Sequence, residues 1–374
     1  MIPIVNEKYK YILLYSAKAG CTSLRSLYLD VHRDELSDVQ LGQLDWYHNL
    51  NEVQAFDPQR DYSDYFSYTI TRNPYSRVVS AYLDQYVFAR NSGVKKMMLD
   101  CPPQNNPKKP TNIDPQNFIE FLQYLKTVPD HQRDTHFQTQ SFFAYADMVV
   151  TQSSPRYRWL KQKPDHAFGV QYSGDISEFD KHSIKAFKRI FKHDKQKLRN
   201  AIAAISQVKR RNASFYGEQD YPNAATLPLA ELDELVFAPK PQDFYIDAEA
   251  VDLVNEIYAN DFELFSYKQN EIPSKNASKE IELIPDDFNW RMYIRLNPDL
   301  PKDEIYNERS VVRHYLEFGL FEEHPRAYKI VAPIGFEWQR YLSLHVDLPK
   351  AGITNELAAI EHYISFGIRE NREI

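Results

Sequence analysis

Two segments of the chain place an apolar, β-prone run directly before a tight polar loop and an amphipathic helix, and this pattern limits the possible folds more than any other feature. The first segment passes from YKYILLY, residues 9–15, through SAKAGCTS into a helix. The second passes from FSYTIT, residues 66–71, through Arg72-Asn73-Pro74 into a helix over residues 75–90, and Pro74 suits a first helical turn. Strands that alternate with helices in this way predict an α/β domain with a mainly parallel sheet flanked by helices.

Further predicted elements continue this alternation as far as residue 269. A segment rich in Pro, Asn and Lys, residues 101–115, predicts a long surface loop able to act as a lid. The other predicted elements are a helix near residues 117–126, strands near 146–151 and 167–171, basic helices between 178 and 208, and a helical run over 248–265. We therefore assign residues 1–269 to one α/β domain.

The last part of the chain contains an internal repeat with a constant offset of 48 residues. The matched residues are Phe288, Trp290, Tyr293, Asp299, Leu300, Pro301, His314, Tyr315, Phe318 and Gly319, followed by Phe336, Trp338, Tyr341, Asp347, Leu348, Pro349, His362, Tyr363, Phe366 and Gly367. Their helical spacing favours a packed aromatic core over a ligand cage, and it favours core histidines over metal ligands. We predict a linker over residues 270–286 and a small all-α domain of two helical repeats over residues 287–374.

Composition argues against several classes of protein. A formal charge of −7 over 374 residues gives no global sign of a nucleic-acid binder or a membrane-surface protein. Cys21 and Cys101 lack metal-ligand spacing, which argues against a disulfide framework and against a zinc site. No apolar stretch reaches the roughly 18 residues that span a bilayer, and no hydrophobic leader precedes the first strand. We expect a cytoplasmic protein without a metal, and the sequence leaves its oligomeric state open.

The first loop, residues 16–23, has the residue types of an anion-binding site. A loop that leaves a strand and opens a helix presents unpaired backbone N–H groups at the positive end of the helix dipole. Gly20 allows close approach of the backbone, and Lys18 adds a mobile positive charge. Thr22 and Ser23 add hydroxyl donors. The lysine precedes the glycine, unlike in the ATP-binding pattern GxxxxGKS/T, which argues against a kinase. The alternative is a capped helix N-terminus with an exposed lysine.

The second loop predicts another anion site. Arg72 ends a strand, and Ser80 lies eight residues later, about two turns into the following helix, so both can face the carboxyl edge of the sheet. A guanidinium fork and a hydroxyl suit a phosphate. The alternative is a surface arginine and an unrelated helix serine. Two anion sites, each at a strand-to-helix junction, require a ligand with phosphates at two ends.

The two motifs resemble the phosphate-binding motifs of sulfotransferases that use 3′-phosphoadenosine 5′-phosphosulfate (PAPS). K-A-G-C-T-S is similar to the 5′-phosphosulfate motif, and R-N-P-Y-S-R-V-V-S-A-Y is similar to the 3′-phosphate motif R-x-P-x-x-R-x-x-S-x-Y of the carbohydrate sulfotransferase branch. The resemblance spans about residues 9–215 and implies a P-loop-like sulfotransferase fold. The C-terminal units resemble short repeats appended to bacterial glycan-modifying enzymes.

The resemblance also implies a role for each matching residue. The residues implied to hold the 5′-phosphosulfate are Lys18, Ala19, Gly20, Cys21, Thr22 and Ser23. Arg72 and Ser80 would hold the 3′-phosphate, whereas Arg77 matches an arginine that braces the fold. Arg211 lies in a segment, residues 209–214, that resembles a late nucleotide-contacting stretch. Ala17 stands where the family commonly has proline, and we expect little consequence from this difference.

Sulfuryl transfer to a hydroxyl also needs a base for the hydroxyl proton, and histidine suits this task near neutral pH. We predict His48, because family members with a histidine base place it about two dozen residues before the second-motif arginine, and His48 precedes Arg72 by 24 residues. His131 and His136 are the alternatives, since their segment resembles an H-x-x-Q stretch near the acceptor cleft. Lys18 is predicted to neutralise charge on the leaving phosphate.

The resemblance therefore implies an enzyme that moves a sulfuryl group from PAPS to a hydroxyl of a saccharide or polysaccharide and releases adenosine 3′,5′-bisphosphate. Residues 181–211 carry 11 Lys and Arg against one acidic residue, which forms either a face that attracts an anionic glycan or an ordinary solvated helix face. The alternatives are a P-loop-like phosphotransferase and a non-catalytic glycan- or partner-binding protein with a vestigial nucleotide site. No motif names the acceptor.

Overall fold

The computed structural model describes residues 2–36, 60–88, 115–130, 133–143, 170–208, 215–300 and 305–374. Contacts between Cα atoms divide the chain into two units. The first unit comprises residues 1–214, 219–233 and 239–275, and the second comprises residues 215–218, 234–238 and 276–374. The second unit therefore includes two short segments that precede its main part in the sequence.

A four-stranded sheet lies at the centre of the described part of the first unit. Its strands, in spatial order, are β1 (Ile2–Asn6), β2 (Tyr11–Tyr15), β3 (Phe66–Thr71) and β4 (Tyr172–Asp175). β1 is antiparallel to β2, whereas β2, β3 and β4 are parallel, and Tyr68 pairs with Leu13 on one side and with Tyr172 on the other. The carboxyl ends of three strands consequently meet at one edge of the sheet.

Helices flank this sheet. The helices in the described residues up to 264 are α1 (Cys21–His32), α2 (Pro74–Ala81), α3 (Phe118–Thr127), α4 (Phe179–Ile190), α5 (Lys195–Gln207), α6 (Leu229–Glu234), α7 (Ala248–Ile257) and α8 (Ala259–Leu264). α2 continues as a π-helical turn over Tyr82–Val87. Leu24 and Leu27 of α1 pack with Leu13 of β2 and Phe187 of α4 in a buried core. This burial explains why β2 has an uninterrupted apolar sequence.

The α/β fold and the mainly parallel sheet predicted from the sequence are confirmed for the described residues. The predicted positions of some elements are wrong. The strand expected near residues 167–171 is absent at residues 170 and 171, the part of that range that the structure describes, and the described strand lies at Tyr172–Asp175. This strand is only half-buried and lacks the apolar run that marks β2, so the sequence pattern does not indicate it. The helical run predicted over 248–265 divides at Tyr258 into two helices. The predicted lid and the strand near 146–151 fall almost wholly outside the described residues.

The elements assigned in the main part of the second unit are helical in the part of the chain described. They are α9 (Trp290–Leu296), α10 (Glu308–His314), α11 (Trp338–Leu344), α12 (Asp347–Lys350) and α13 (Glu356–His362), with π-helical turns at Tyr315–Gly319 and Tyr363–Gly367 and a 3-10 turn at Lys279–Leu283. Tyr293 shares a hydrogen bond of 2.8 Å with His314 Nδ1, and Tyr341 shares one of 3.0 Å with His362 Nδ1. The division into two repeats, with its boundaries at residues 270 and 287, stays a prediction.

The upstream segments of the second unit contribute to its core. Phe215, Val236 and Phe237 pack against the buried cluster that contains Tyr293 and Val311. Among the residues described in either unit, no helix combines the length and the apolar character needed to cross a membrane.

Candidate functional site

The first loop connects the carboxyl end of β2 to α1 through two residues with left-handed backbone. Lys18 has φ 63° and Gly20 has φ 75°. A positive φ is uncommon for lysine, and it turns the loop so that Gly20 becomes the residue that opens α1. The Leu24 N–H donates to the Gly20 carbonyl at 2.9 Å, which begins the helical hydrogen bonds. Glycine adopts a positive φ readily, but nothing in the sequence marks Lys18 for one.

The first turn of α1 has the donors of an anion site. No side chain among the described residues caps this end of the helix. Thr22 and Ser23 are half-buried, and their hydroxyls make no hydrogen bond within the described part of the chain. Ala19 is buried, and Cys21 packs partly against the core. The backbone amides and two hydroxyls therefore remain as donors at the positive end of the helix dipole.

The second loop begins where β3 ends. The Asn73 side chain accepts a hydrogen bond from the Tyr75 N–H at 3.0 Å, and Pro74 occupies the first position of α2. Both features start the helix immediately after Arg72. Ser80 lies half-buried on this helix, and no hydrogen bond joins it to Arg72 or to any other described residue.

Arginines of the second loop and α2 bind carbonyl groups of the first loop. Arg72 Nη1 donates to the Lys18 carbonyl at 3.3 Å, and Arg77 Nε donates to the Ala17 carbonyl at 2.9 Å. Arg77 is 1% exposed and donates a further hydrogen bond from Nη1 to the Gln138 carbonyl at 2.7 Å. Parallel pairing of β2 with β3 brings the two loops together, and these bonds fix the distance between them.

Gln140 hydrogen-bonds to the backbone of Arg72, and Asp261 in turn holds Gln140. Sequence analysis did not identify either residue. Gln140 Oε1 accepts from the Arg72 N–H at 2.9 Å, and Gln140 Nε2 donates to the Arg72 carbonyl at 2.8 Å. The fully buried carboxylate of Asp261 accepts from the backbone N–H groups of Gln140 at 2.8 Å and Ser141 at 2.7 Å. Burial raises the pKa of Asp261. The run QTQS at residues 138–141, between two phenylalanines, marks a polar segment but indicates no contact with Arg72 or Asp261.

Asp84 is a second residue that sequence analysis missed. Its carboxylate Oδ2 accepts a hydrogen bond from Lys18 Nζ, and the two groups form an ion pair. Asp84 lies in the π-helical turn, four residues after Ser80. Spacing alone could have placed Asp84 on the same helix face as Ser80, but the contact with Lys18 depends on the tertiary structure.

Of the three predicted histidines, the structure describes only His136. His136 Nδ1 lies 2.5 Å from Asp134 Oδ1, and the His136 side chain is 28% exposed. No hydrogen bond within the described residues joins His136 to Lys18 or Arg72. His48, His131 and Arg211 lie outside the described residues.

The described geometry thus gathers an ammonium, a guanidinium, free hydroxyls and uncapped amides at the carboxyl edge of the sheet. These donors suit a ligand with more than one negatively charged group.

A family model described as "Sulfotransferase family" matches residues 3–227, more than half of the 374-residue chain. No curated protein and no solved structure matches the chain. The matched residues include both loops, Asp84 and Gln140, and the family supports sulfuryl transfer as the chemistry. The chain therefore belongs to the sulfotransferase family.

Proposed function

We propose that the protein transfers a sulfuryl group from PAPS to a hydroxyl of a saccharide or polysaccharide. The observation that carries this proposal is the hydrogen bond of 3.3 Å from Arg72 Nη1 to the Lys18 carbonyl. It joins the two predicted phosphate motifs at the ends of neighbouring parallel strands. A nucleotide with phosphates at its 3′ and 5′ positions can contact both motifs only if they are adjacent.

The donor set of the site fits PAPS. Lys18, Thr22, Ser23 and the uncapped first turn of α1 would receive the 5′-phosphosulfate, and Arg72 with Ser80 would receive the 3′-phosphate. The hydroxyl of Ser80 makes no hydrogen bond within the described residues, which leaves it available to a ligand. When bound, PAPS would supply an activated sulfuryl group.

The chain's own residues would position the reactants and move one proton. Lys18 places a positive charge where the leaving phosphate gains negative charge, and positioning with charge stabilisation suits a loose in-line displacement. His48 would accept the proton of the acceptor hydroxyl, with His131 and His136 as the alternative bases. Asp134 orients the His136 ring through Nδ1, which leaves Nε2 as the nitrogen able to act as a base.

A thermal-shift comparison tests the nucleotide class. We expect adenosine 3′,5′-bisphosphate to raise the unfolding midpoint, whereas ATP leaves it close to that in buffer. A ligand at 100 times its Kd stabilises the folded protein by about 2.7 kcal/mol, which is readily measured. Selective stabilisation by ATP would favour a phosphotransferase, and no response to either nucleotide would favour a binding protein.

A transfer assay with radiolabelled PAPS tests the residue roles. We expect Lys18→Ala and His48→Ala to abolish transfer to glycan acceptors, because they remove the stabilising charge and the base. Arg72→Ala should chiefly raise the KM for PAPS. Wild-type turnover in His48→Ala would exclude His48 as the base, and the same assay on His136→Ala would then test the alternative.

A further inference from the structure

The ion pair between Lys18 and Asp84 lies within the candidate donor site. The side chains of Lys18 and Asp84 are 16% and 33% exposed, so water shields the pair only in part. Partial shielding makes the attraction stronger than that of an ion pair on an open surface. Asp84 therefore holds the ammonium that we propose to act on the leaving phosphate.

The helix supports this placement of Asp84. The π-helical turn buries Tyr82, Tyr86 and Val87 and leaves Asp84 on the side of Lys18. Gln85 Nε2 donates to the same Asp84 oxygen at 2.5 Å, which restrains the carboxylate. π-helical turns inside α-helices are frequent at functional sites, because the extra residue redirects neighbouring side chains.

A carboxylate beside a phosphate-binding lysine opposes the binding of an anion. To contact a phosphosulfate, the Lys18 ammonium must either break its ion pair with Asp84 or donate to the carboxylate and the phosphosulfate together. The same attraction acts in the opposite direction when the nucleotide product dissociates, because Asp84 can again take the ammonium.

We propose that Asp84 is a positioning residue that holds Lys18 in the free protein and recaptures it as the nucleotide product leaves, so that Asp84 weakens product retention. This inference rests on the proposed function. Its distinguishing consequence is that loss of the carboxylate tightens nucleotide binding, whereas loss of a residue with a merely structural role weakens it.

Calorimetric titration of the full-length protein with adenosine 3′,5′-bisphosphate tests the proposal. Asp84→Asn removes the charge at nearly constant size, and we expect it to lower the Kd about tenfold, equivalent to about 1.4 kcal/mol. In the transfer assay the same variant should lower both the KM for PAPS and kcat, because product release slows. In a Lys18→Ala background, Asp84→Asn should leave the Kd unchanged.

Asp64→Asn is the matched control, because Asp64 also forms an ion pair with a lysine, Lys10, but both side chains are more than half exposed. It precedes β3 and so lies away from the carboxyl edge, and we expect wild-type affinity. Asp84→Ala is measured in parallel, so that a folding defect in one Asp84 variant leaves the other to decide.

Unchanged or weaker bisphosphate binding in the folded Asp84 variants would overturn the proposal. Equal tightening in the Lys18→Ala background would also overturn it, because the effect would then come from long-range charge rather than from the ion pair. Failure of the wild-type protein to bind the bisphosphate would instead contradict the proposed function.

Discussion

At the scale of single residues, Arg72 and Arg77 both contact carbonyl groups of the first loop but differ in burial. Arg72 is half-buried and makes one long hydrogen bond to this loop, so its guanidinium retains donors for a ligand. Arg77 is buried and donates two hydrogen bonds to backbone carbonyl groups, those of Ala17 and Gln138. The geometry supports different roles for the two arginines, with Arg72 available to an anionic ligand and Arg77 linking three segments of the chain.

Substitution of Arg77 by lysine tests this difference. Lysine cannot reproduce both hydrogen bonds of the guanidinium fork, and each hydrogen bond from a charged group contributes about 1.5–3 kcal/mol. We expect Arg77→Lys to lower the free energy of unfolding by at least about 2 kcal/mol in a urea titration. Arg72→Lys, the matched control, should lose less than about 1 kcal/mol, and equal losses would contradict the assignment.

Gly20 is required by both its backbone and its surroundings. Its φ is 75°, and an added Cβ would lie 3.0 Å from Ile176 Cδ1. Left-handed backbone costs an L-residue roughly 1–2 kcal/mol, and relief of the contact would displace the loop. We expect Gly20→Ala to lower the unfolding midpoint and to weaken bisphosphate binding several-fold.

Gly352→Ala is the control that separates the effect of backbone strain at Gly20 from the effect of the contact with Ile176. Gly352 also has a positive φ, 89°, but an added Cβ would meet no heavy atom within 4 Å. This variant should lower the unfolding midpoint through backbone strain alone and keep the wild-type Kd. Wild-type affinity in Gly20→Ala would show that the loop tolerates the displacement.

At the scale of elements, the segment Gln140–Phe143 holds the loop after β3 in place. Gln140→Ala removes both hydrogen bonds to the backbone of Arg72, and we expect about 1–3 kcal/mol lower stability and weaker bisphosphate binding. Gln171→Ala is the control, because Gln171 Nε2 also donates to a backbone carbonyl, that of Tyr65, at 2.9 Å. The control lies before β4 and should affect stability without affecting the Kd.

Sequence patterns predict elements well where burial is uniform. The runs YILLY and FSYTIT are strands at or near the expected residues, because buried parallel strands need continuous apolar or β-branched side chains. β4 lies at the edge of the described sheet and is only half-buried. Its sequence, YSGD, therefore does not need to be continuously apolar, and no pattern marks it as a strand. The start of α2 is predicted because Pro74 marks it, whereas the cap that Asn73 provides is seen only in the structure.

The candidate site is predictable only in part. Lys18, Gly20 and Arg72 stand in motifs whose spacing carries their chemistry, and the structure brings the two motifs into contact. Asp84, Gln140 and Asp261 act through contacts between distant parts of the chain. Asp261 is 121 residues from Gln140, and no local pattern encodes that separation.

At the scale of the whole molecule, pH dependence of stability should come from the buried side chain of His32, which lies near the first residue of β2. His32 Nε2 lies 2.6 Å from the Tyr11 hydroxyl, and His32 Nδ1 lies 2.8 Å from Glu35 Oε2. Burial lowers the pKa of His32 below its usual 6.5. Partial burial opposes ionisation of Glu35, but hydrogen bonds from His32 and Lys197 outweigh it and lower the pKa of Glu35 from 4.5 to about 2.

Both shifts predict acid sensitivity. Below pH 6.5 the unfolded chain binds a proton at His32 that the folded chain resists, and between pH 4.5 and about 2 the same holds for Glu35. We expect the unfolding midpoint to fall as the pH is lowered from 7 to 5 and to fall further toward pH 3. His32→Gln should reduce the slope between pH 7 and 5, and an unchanged slope in that variant would assign the sensitivity to other groups.

The upstream segments of the second unit affect how the protein can be shortened. Residues 215–218 and 234–238 belong to that unit, and Phe215, Val236 and Phe237 pack against its buried hydrophobic cluster. A truncation after residue 275 would leave these three side chains without the cluster that covers them, and such a fragment would tend to aggregate. A fragment beginning at residue 276 would lack the same side chains from its interior. Expression of either half alone therefore requires redesign of these positions and not merely a new stop codon.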